Sequence, residues 1–233
     1  MWSGPRNIST AMMYSFASRA DCAVTDEPFY GAFLKNSGAK HPMAEKIIAD
    51  MDCNWRSVTQ AMCGDIPGNK SIWYQKHMPH HMIGDVSIMD FLDHVNAFLV
   101  RDPALVAASY LAKNELMAAE QLGFAQLVNY HKRISDHLGR AAPVIDSNAI
   151  LADPEGQLSL LCAALGVIWD PSMLAWQKGP KPYDGIWAKH WYGGVWQSTG
   201  FGQPSAFSEL PNEVGRIADS CRSDYEYLLQ FRI

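Results

Sequence analysis

A loop of small residues that leads directly into a helix-forming stretch is the feature that most restricts how this chain can fold. The loop spans Ser3–Thr10 (SGPRNIST), and the apolar run Ala11–Ala17 follows it. The first N–H groups of a helix lack partners within the helix, and a charge of about +0.5 accumulates at that end. Arg6, Ser9 and Thr10 add a cation and two hydroxyls. The loop therefore predicts a site for phosphate or sulfate.

Composition narrows the class of protein. A length of 233 residues favours a single α/β domain over residues 1–233, and shares of 48% apolar and 18% charged residues are ordinary for a globular protein. The chain has neither an apolar run of roughly 20 residues nor the features of a signal peptide. A net charge of −5 argues against nucleic acid as a partner. The five scattered cysteines indicate reduced thiols, so we expect a cytoplasmic protein. Because no long apolar run is present, we expect no membrane partner.

Strand-like and helix-like segments alternate along the chain, which predicts a three-layer α/β/α fold with a central parallel sheet. The strand before the first loop is very short, unless the natural chain begins earlier. A helix is predicted from Pro103, because Asp102 is a suitable N-cap and proline suits the first helical position. Further strands are predicted at 22–25, 71–75, 95–100 and 143–146, and further helices near 43–51, 54–63, 118–138, 154–166 and 212–229.

The segment 178–204 is rich in glycine, proline and aromatic residues and follows neither the helical nor the strand period. A long irregular segment in a compact domain is usually functional or mobile. We interpret this one as a lid over an acceptor site. Its tryptophans and tyrosines, Trp187, Trp191, Tyr192 and Trp196, are explained more simply as a satellite core.

Polar side chains stand at the carboxyl ends of the predicted strands, where open α/β sheets bind their ligands. In strand order these residues are Arg6, Asp26, Glu27, Lys76, His77 and Arg101. Ser109 lies about two turns into the helix that begins beside Arg101, so both side chains could reach one phosphate. The strand ends therefore predict a polar site with an anionic ligand.

Simpler explanations of the same residues stay open. Asp26 and Glu27 could pair with Arg6, and Lys76 could belong to a solvated strand end. The adjacent histidines at 80 and 81 would point to opposite faces of a strand, which argues against a metal site. We therefore expect no metal.

The order of these parts resembles the sulfotransferases that use 3′-phosphoadenosine 5′-phosphosulfate (PAPS). Residues 5–10 are similar to their loop P-[KR]-S-G-T-T, and residues 101–110 are similar to their motif R-[DN]-P-x-x-x-x-x-S-Y. Lys76 and His77 are similar to the K-T-H of cytosolic members. The stretch 26–30 is similar to the P-E-E-Y-F of a bacterial branch. Ile8 departs from the family, because a glycine usually stands there. We therefore expect that the loop cannot take a positive φ cheaply at this residue.

The resemblance implies a P-loop-type α/β fold and a role for each matched residue. The loop, with its residues Pro5, Arg6, Asn7, Ile8, Ser9 and Thr10, would hold the 5′-phosphosulfate. Arg101 and Ser109 would hold the 3′-phosphate, and Lys76 would neutralise the bridging oxygen as the bond breaks. His77 or Glu27 would take the proton of the acceptor. We prefer His77 slightly, because the pKa of histidine suits neutral pH.

The predicted activity is transfer of a sulfuryl group from PAPS to a hydroxyl or amine of a small-molecule acceptor. One alternative is a non-catalytic nucleotide-binding protein on the same fold, which the departure at Ile8 would indicate. Another is a P-loop small-molecule kinase, against which the absence of a GK[ST] pattern speaks. The sequence leaves the acceptor unidentified and the oligomeric state open, with a homodimer as one option.

Overall fold

A computed structural model describes residues 1–204, 206–207 and 209–233 as a mixture of parallel strands and helices. The strands of the described residues are β1 (Trp2–Ser3), β2 (Cys22–Asp26), β3 (Ile72–Lys76), β4 (Phe98–Val100) and β5 (Val144–Asp146). The α-helices are α1 (Ser9–Ala17), α2 (Tyr30–Ser37), α3 (Ala44–Asp50), α4 (Trp55–Met62), α5 (Pro103–Leu111), α6 (Phe124–Leu138), α7 (Ser147–Ala152), α8 (Pro154–Leu165), α9 (Ala188–Trp191), α10 (Gly193–Trp196), α11 (Asn212–Ser220) and α12 (Arg222–Leu229). The predicted α/β class with parallel strands is confirmed.

The chain divides into two compact units. The first unit comprises Met1–Ser9, Leu92–Trp169 and Gly202–Ile233, and the second comprises Thr10–Phe91 and Asp170–Phe201. In the described residues, the longest helix is α6 with 15 residues, and no helix is both long and apolar enough to cross a membrane.

In the first unit, β1, β4 and β5 form a parallel sheet in that order. Trp2 lies opposite Phe98, and Phe98 lies opposite Val144. Both β4 and β5 are buried along their whole length, as the apolar runs of a covered parallel sheet require. The indole Nε1 of Trp2 donates to Oδ1 of Asn96 at 2.7 Å, and its ring packs edge-on against Tyr130. A two-residue strand is thus anchored in front of the loop.

In the second unit, β2 and β3 pair in parallel from Cys22 opposite Ile72 to Asp26 opposite Lys76. The register therefore brings an acidic and a basic residue side by side at the carboxyl ends of the two strands. Trp187 and Tyr192 are buried in one apolar cluster with Tyr30, Leu34 and Ile47. The interpretation of these aromatics as a satellite core is confirmed for these two residues.

Residues 178–201 of the irregular segment belong to the second unit, where Asp184 connects them to Tyr14 of α1. The carboxylate of Asp184 accepts hydrogen bonds from the hydroxyl of Tyr14, the indole of Trp196 and the backbone N–H of Lys181, at 2.7–2.9 Å. Within the segment, α9 and α10 are single turns of helix. Its role as a lid stays a prediction.

Several helices differ from the sequence prediction, and three of these differences have a reason in the structure. The helix expected over 118–138 begins at Phe124, because Gly123 takes a left-handed conformation with φ of 75°. The terminal helix is interrupted at Cys221. Helix α2 was not predicted; its Gly31 lets Met51 approach so closely that an added Cβ would lie 2.7 Å from the Met51 Cβ. Packing stabilises this helix more than its sequence pattern does.

Candidate active site

The anion loop, Ser3–Thr10, connects β1 to α1 and is bound to the first unit at successive carbonyl groups. Nη1 of Arg101 donates to the carbonyl oxygen of Arg6 at 2.9 Å, and Oγ of Ser147 donates to that of Asn7 at 3.0 Å. The side-chain amide of Asn7 in turn donates to the carbonyl oxygen of Leu99 at 3.2 Å. These bonds anchor the loop to the ends of β4 and β5.

The backbone of this loop adopts left-handed conformations at two non-glycine residues. Arg6 has φ of 62° and Ile8 has φ of 57°. Alternation of this kind turns backbone N–H groups toward one side, where they can bind an anion. The conformation costs an L-residue about 1–2 kcal/mol, and for a β-branched residue it is exceptional. Ile8 was expected to disfavour a positive φ; the structure shows that its neighbours hold it there.

This strain predicts an unusual order of stabilities. We expect the Ile8→Gly protein to unfold at a higher denaturant concentration than Ile8→Ala, by about 1 kcal/mol in free energy, because only glycine relieves the positive φ. Both variants remove the same side chain beyond Cβ. At the exposed helical residue Arg133, the same pair should show the opposite order, since alanine is the better helix former. Equal stabilities of the two variants at position 8 would show that the loop is unstrained.

The predicted phosphate-binding side chains meet at the same loop. Nε of Arg6 donates to Oγ of Ser109 at 3.0 Å. Ser109 lies on α5, whose N-cap Asp102 accepts from the N–H of Ala104 and whose first residue is Pro103, as predicted. The structure thus brings Arg6, Arg101 and Ser109 together across about 100 residues of sequence.

Two guanidinium groups lie close together in this part of the unit. Burial lowers the pKa of Arg6, and burial together with the charge of Arg6 lowers the pKa of Arg101. The carboxylates of Asp146 and Asp102 oppose this shift at Arg101. Because two partly desolvated cations repel each other, a further anion such as phosphate would stabilise the pair.

The second unit holds a buried charge cluster at the carboxyl ends of β2 and β3. Lys76 is 1% exposed, and its ammonium group donates to Asp26 Oδ1 at 2.8 Å, to Glu27 Oε1 at 2.5 Å and to Tyr192 Oη at 2.7 Å. The hydroxyl of Tyr192 donates to Asp26 Oδ2 at 2.7 Å and accepts from the indole of Trp187 at 3.3 Å. Lys76 is the partner of the two carboxylates, and its three N–H donors are all engaged.

The pKa values of Glu27 and Lys76 are both raised in this cluster, for different reasons. Burial raises the pKa of Glu27, although the positive charge of Lys76 opposes the shift. Burial would lower the pKa of Lys76, but attraction by Asp26 and Glu27 outweighs it and leaves the value well above normal. Lys76 therefore stays charged, while Glu27 is a carboxyl group with the raised pKa that a general base needs.

The two candidate bases have different surroundings. Nε2 of His77 lies 3.0 Å from Oε1 of Gln75, and the ring packs near Phe29 and Phe91. Oε2 of Glu27 lies 3.9 Å from Nδ1 of His81. Burial and the neighbouring histidines hold the pKa of His81 well below its usual value, so this ring is neutral near pH 7.

Other histidines sit beside this cluster. The His81 ring stacks on Tyr30 and Phe33, and the His80 ring meets it edge-on. Across the described part of the chain, no group of three or more His, Cys, Asp and Glu residues is arranged to hold a metal ion. These rings form an aromatic contact beside Glu27.

Two residues of the site were missed by sequence reasoning. Ser147 directly follows β5, so the strand-end argument could have included it. Tyr192 lies in the irregular segment 178–204, and nothing in its local sequence indicates a buried partner. Its contact with Lys76 depends entirely on packing.

The comparisons with known proteins agree with this fold. The family described as "Sulfotransferase domain" matches residues 1–219, and the chain belongs to this family. The structure is similar to "Sulfotransferase from Alicyclobacillus acidocaldarius", with a TM-score of 0.55, 11% identity and coverage of 100% of this chain and 95% of that one. It is also similar to "Sulfotransferase Domain from the Curacin Biosynthetic Pathway", with a TM-score of 0.52, 13% identity and 95% coverage of both chains. At these identities the likeness shows the fold alone.

A curated relative carries a different name. "Branched-chain-amino-acid aminotransferase-like protein 2" from Arabidopsis thaliana is 33% identical over 208 residues, which make up 89% of this chain and 37% of the relative. The chain thus spans little more than a third of the length of that protein.

Proposed function

We propose that this protein transfers a sulfuryl group from PAPS to a hydroxyl or amine of a small-molecule acceptor and releases 3′,5′-ADP. The observation that carries the proposal is the meeting of Arg6, Arg101 and Ser109 at a loop with backbone conformations suited to an anion. Membership of the sulfotransferase-domain family supports the same class of reaction. The relative named for an aminotransferase is much longer, and the match covers only 37% of its length.

The donor would be held by the anion loop and by two side chains of the first unit. The loop amides, with Arg6, Ser9 and Thr10, would bind the 5′-phosphosulfate. Arg101 and Ser109 would bind the 3′-phosphate. PAPS supplies the sulfuryl group, whose bond to the phosphate oxygen breaks as a bond to the acceptor oxygen or nitrogen forms. Fixed donors of this kind stabilise the charge that develops on the leaving phosphate.

We propose Glu27 as the group that takes the proton of the acceptor, in preference to His77. The raised pKa of Glu27 brings its basicity nearer to neutral pH, and its Oε2 is the oxygen that does not bind Lys76. His77 is the alternative base, and mutation of each residue distinguishes the two.

For Lys76 the contacts support a role in orienting Glu27. All three N–H donors of its ammonium group are used within the cluster. The role at the bridging oxygen that the resemblance implies would require one of these bonds to break first. No metal is needed in this scheme, because the cations of the chain supply the positive charge.

The positive φ of Ile8 counts against the non-catalytic alternative. That alternative relied on Ile8, because an isoleucine cannot take a positive φ cheaply. Ile8 has φ of 57° nonetheless, so the loop retains the backbone conformation that glycine would provide. The kinase alternative is tested directly by nucleotide selectivity.

The experiment that tests the proposal is calorimetric binding of 3′,5′-ADP, 5′-ADP and ATP, with and without Mg²⁺. We expect metal-independent preference for 3′,5′-ADP. Preference for ATP with Mg²⁺ would establish the kinase alternative instead. If 3′,5′-ADP binds but no alcohol, phenol, amine or sugar accepts sulfate from PAPS, the non-catalytic alternative gains support.

A single variant tests the assignment of the 3′-phosphate site. Arg101→Ala should bind 3′,5′-ADP about as weakly as 5′-ADP, a loss of roughly 10–100-fold, because a charged hydrogen bond contributes about 1.5–3 kcal/mol. Arg140→Ala, at an exposed residue, makes the same change in net charge and should retain the preference. If Arg101→Ala still prefers 3′,5′-ADP to 5′-ADP as strongly as the wild type, Arg101 does not bind the 3′-phosphate.

A further inference from the structure

Ser147 is the buried hydroxyl that joins the anion loop to the sheet of the first unit. It is the first residue of α7 and is 0% exposed. Its Oγ lies 3.0 Å from the carbonyl oxygen of Asn7 and 2.7 Å from that of Val100, the last residue of β4. The single O–H is therefore shared between a loop carbonyl and a strand carbonyl.

The position of the Asn7 carbonyl decides where the next amide points. In a planar trans peptide, the C=O of one residue and the N–H of the next point in opposite directions. Because Ser147 holds the carbonyl of Asn7 against the sheet, the N–H of Ile8 is directed away from the sheet. The bond from Arg101 to the carbonyl of Arg6 orients the N–H of Asn7 in the same manner.

The peptide group after Asn7 lies in the stretch between the two left-handed residues of the loop, Arg6 and Ile8. An isoleucine with a positive φ persists only where surrounding contacts impose that conformation. If the peptide after Asn7 turned over, its carbonyl oxygen would replace an N–H donor on the anion side. Ser147 makes a contact that opposes this change.

We propose that Ser147 is a positioning residue that holds the anion loop in its binding conformation and thereby sets the affinity for the donor without contacting it. The role in donor binding rests on the proposed function; the role in holding the loop does not. Apparent affinity falls in proportion to the fraction of protein in the competent conformation. A glycine at position 8 would favour that conformation by itself, so the residues at 8 and 147 should be coupled.

The first test measures this coupling without nucleotide. Unfolding by denaturant is compared for the wild type, Ser147→Ala, Ile8→Gly and the double variant. We expect Ser147→Ala to lower stability less in the Ile8→Gly background than in the wild type, because residues that share a strained segment are not additive. Additive effects would overturn the proposal. If Ser147→Ala does not fold, the test uses Ser147→Cys instead, because a thiol has a similar volume and is a weaker hydrogen-bond donor.

The second test is calorimetric binding of 3′,5′-ADP to the same four proteins. We expect an affinity loss of about tenfold for Ser147→Ala, as for one lost hydrogen bond, and about threefold or less in the Ile8→Gly background. Ser135 is a control in the same unit, since its hydroxyl accepts from the N–H of Ala142; Ser135→Ala should leave affinity unchanged.

The outcomes separate this inference from the proposed function. An unchanged affinity in Ser147→Ala, or an equal loss in both backgrounds, would overturn the positioning role. Failure of the wild type to bind 3′,5′-ADP, with the stability coupling intact, would overturn the proposed function and the donor role of Ser147 while supporting its hold on the loop.

Discussion

Glu27→Gln should lower turnover by about 10²–10⁴-fold while the affinity for 3′,5′-ADP stays unchanged, because the substitution removes the proposed base and keeps its shape. Turnover would be measured from PAPS with the acceptor that reacts fastest in a panel of alcohols, phenols, amines and sugars. His77→Gln is the matched control, as it replaces the alternative base by an amide. A greater loss of turnover in His77→Gln than in Glu27→Gln would assign the base to His77.

The dependence on pH gives this prediction a second readout. A base must be deprotonated to act, and burial raises the pKa of Glu27. Turnover of the wild type should therefore rise with pH through a value above the ordinary pKa of glutamate. The residual activity of Glu27→Gln should lack this rise. The raised pKa also means that the folded state binds a proton more tightly than the unfolded state, so ionisation of Glu27 lowers stability as pH increases.

Lys76→Met should lower the free energy of unfolding by about 3–5 kcal/mol at neutral pH, because it leaves Asp26 and Glu27 buried without their cation. Lys76 is 1% exposed and touches both carboxylates, so water cannot replace it. Denaturant unfolding at pH 7.5 and pH 5 would measure the loss.

The sign of the pH effect follows from the carboxylates that remain. Without the charge of Lys76, which opposes the rise, burial raises the folded-state pKa of Glu27 further, and the folded state then binds more protons than the unfolded state. The variant should therefore regain stability as pH falls. The triple variant with Asp26→Asn and Glu27→Gln removes the uncompensated charges and should recover much of the loss. A loss under about 1 kcal/mol that does not vary with pH would contradict the cluster and favour the role of Lys76 at the leaving phosphate.

Sequence reasoning reached the loop and the side chains proposed to bind phosphate because these depend on local rules. Asp102 and Pro103 begin α5 as capping preferences predict, and the eight-residue spacing places Ser109 two turns along the same helix. The ends of parallel strands then bring Arg6 and Arg101 to one edge, once the alternation of strands and helices is recognised.

The sequence alone does not predict the conformation of Ile8. Backbone propensity argues against a left-handed isoleucine, and the prediction for this residue relied on that propensity. The structure shows the opposite, because bonds from Arg101, Asn7 and Ser147 hold the loop against the ends of β4 and β5. Tertiary contacts outweigh a local cost of about 1–2 kcal/mol.

By itself the sequence determined the class of fold, the anion loop and the residues that could bind phosphate. These features depend on helix caps, residue spacing and strand ends, which are set by residues close together in sequence. Only the tertiary structure decided which partner each buried charge takes. Lys76 binds Asp26 because their strands pair in that register, and it binds Tyr192 because packing returns a residue 116 positions away to the same cluster. A buried charge requires a partner whatever its distance in sequence, and packing alone selects which one.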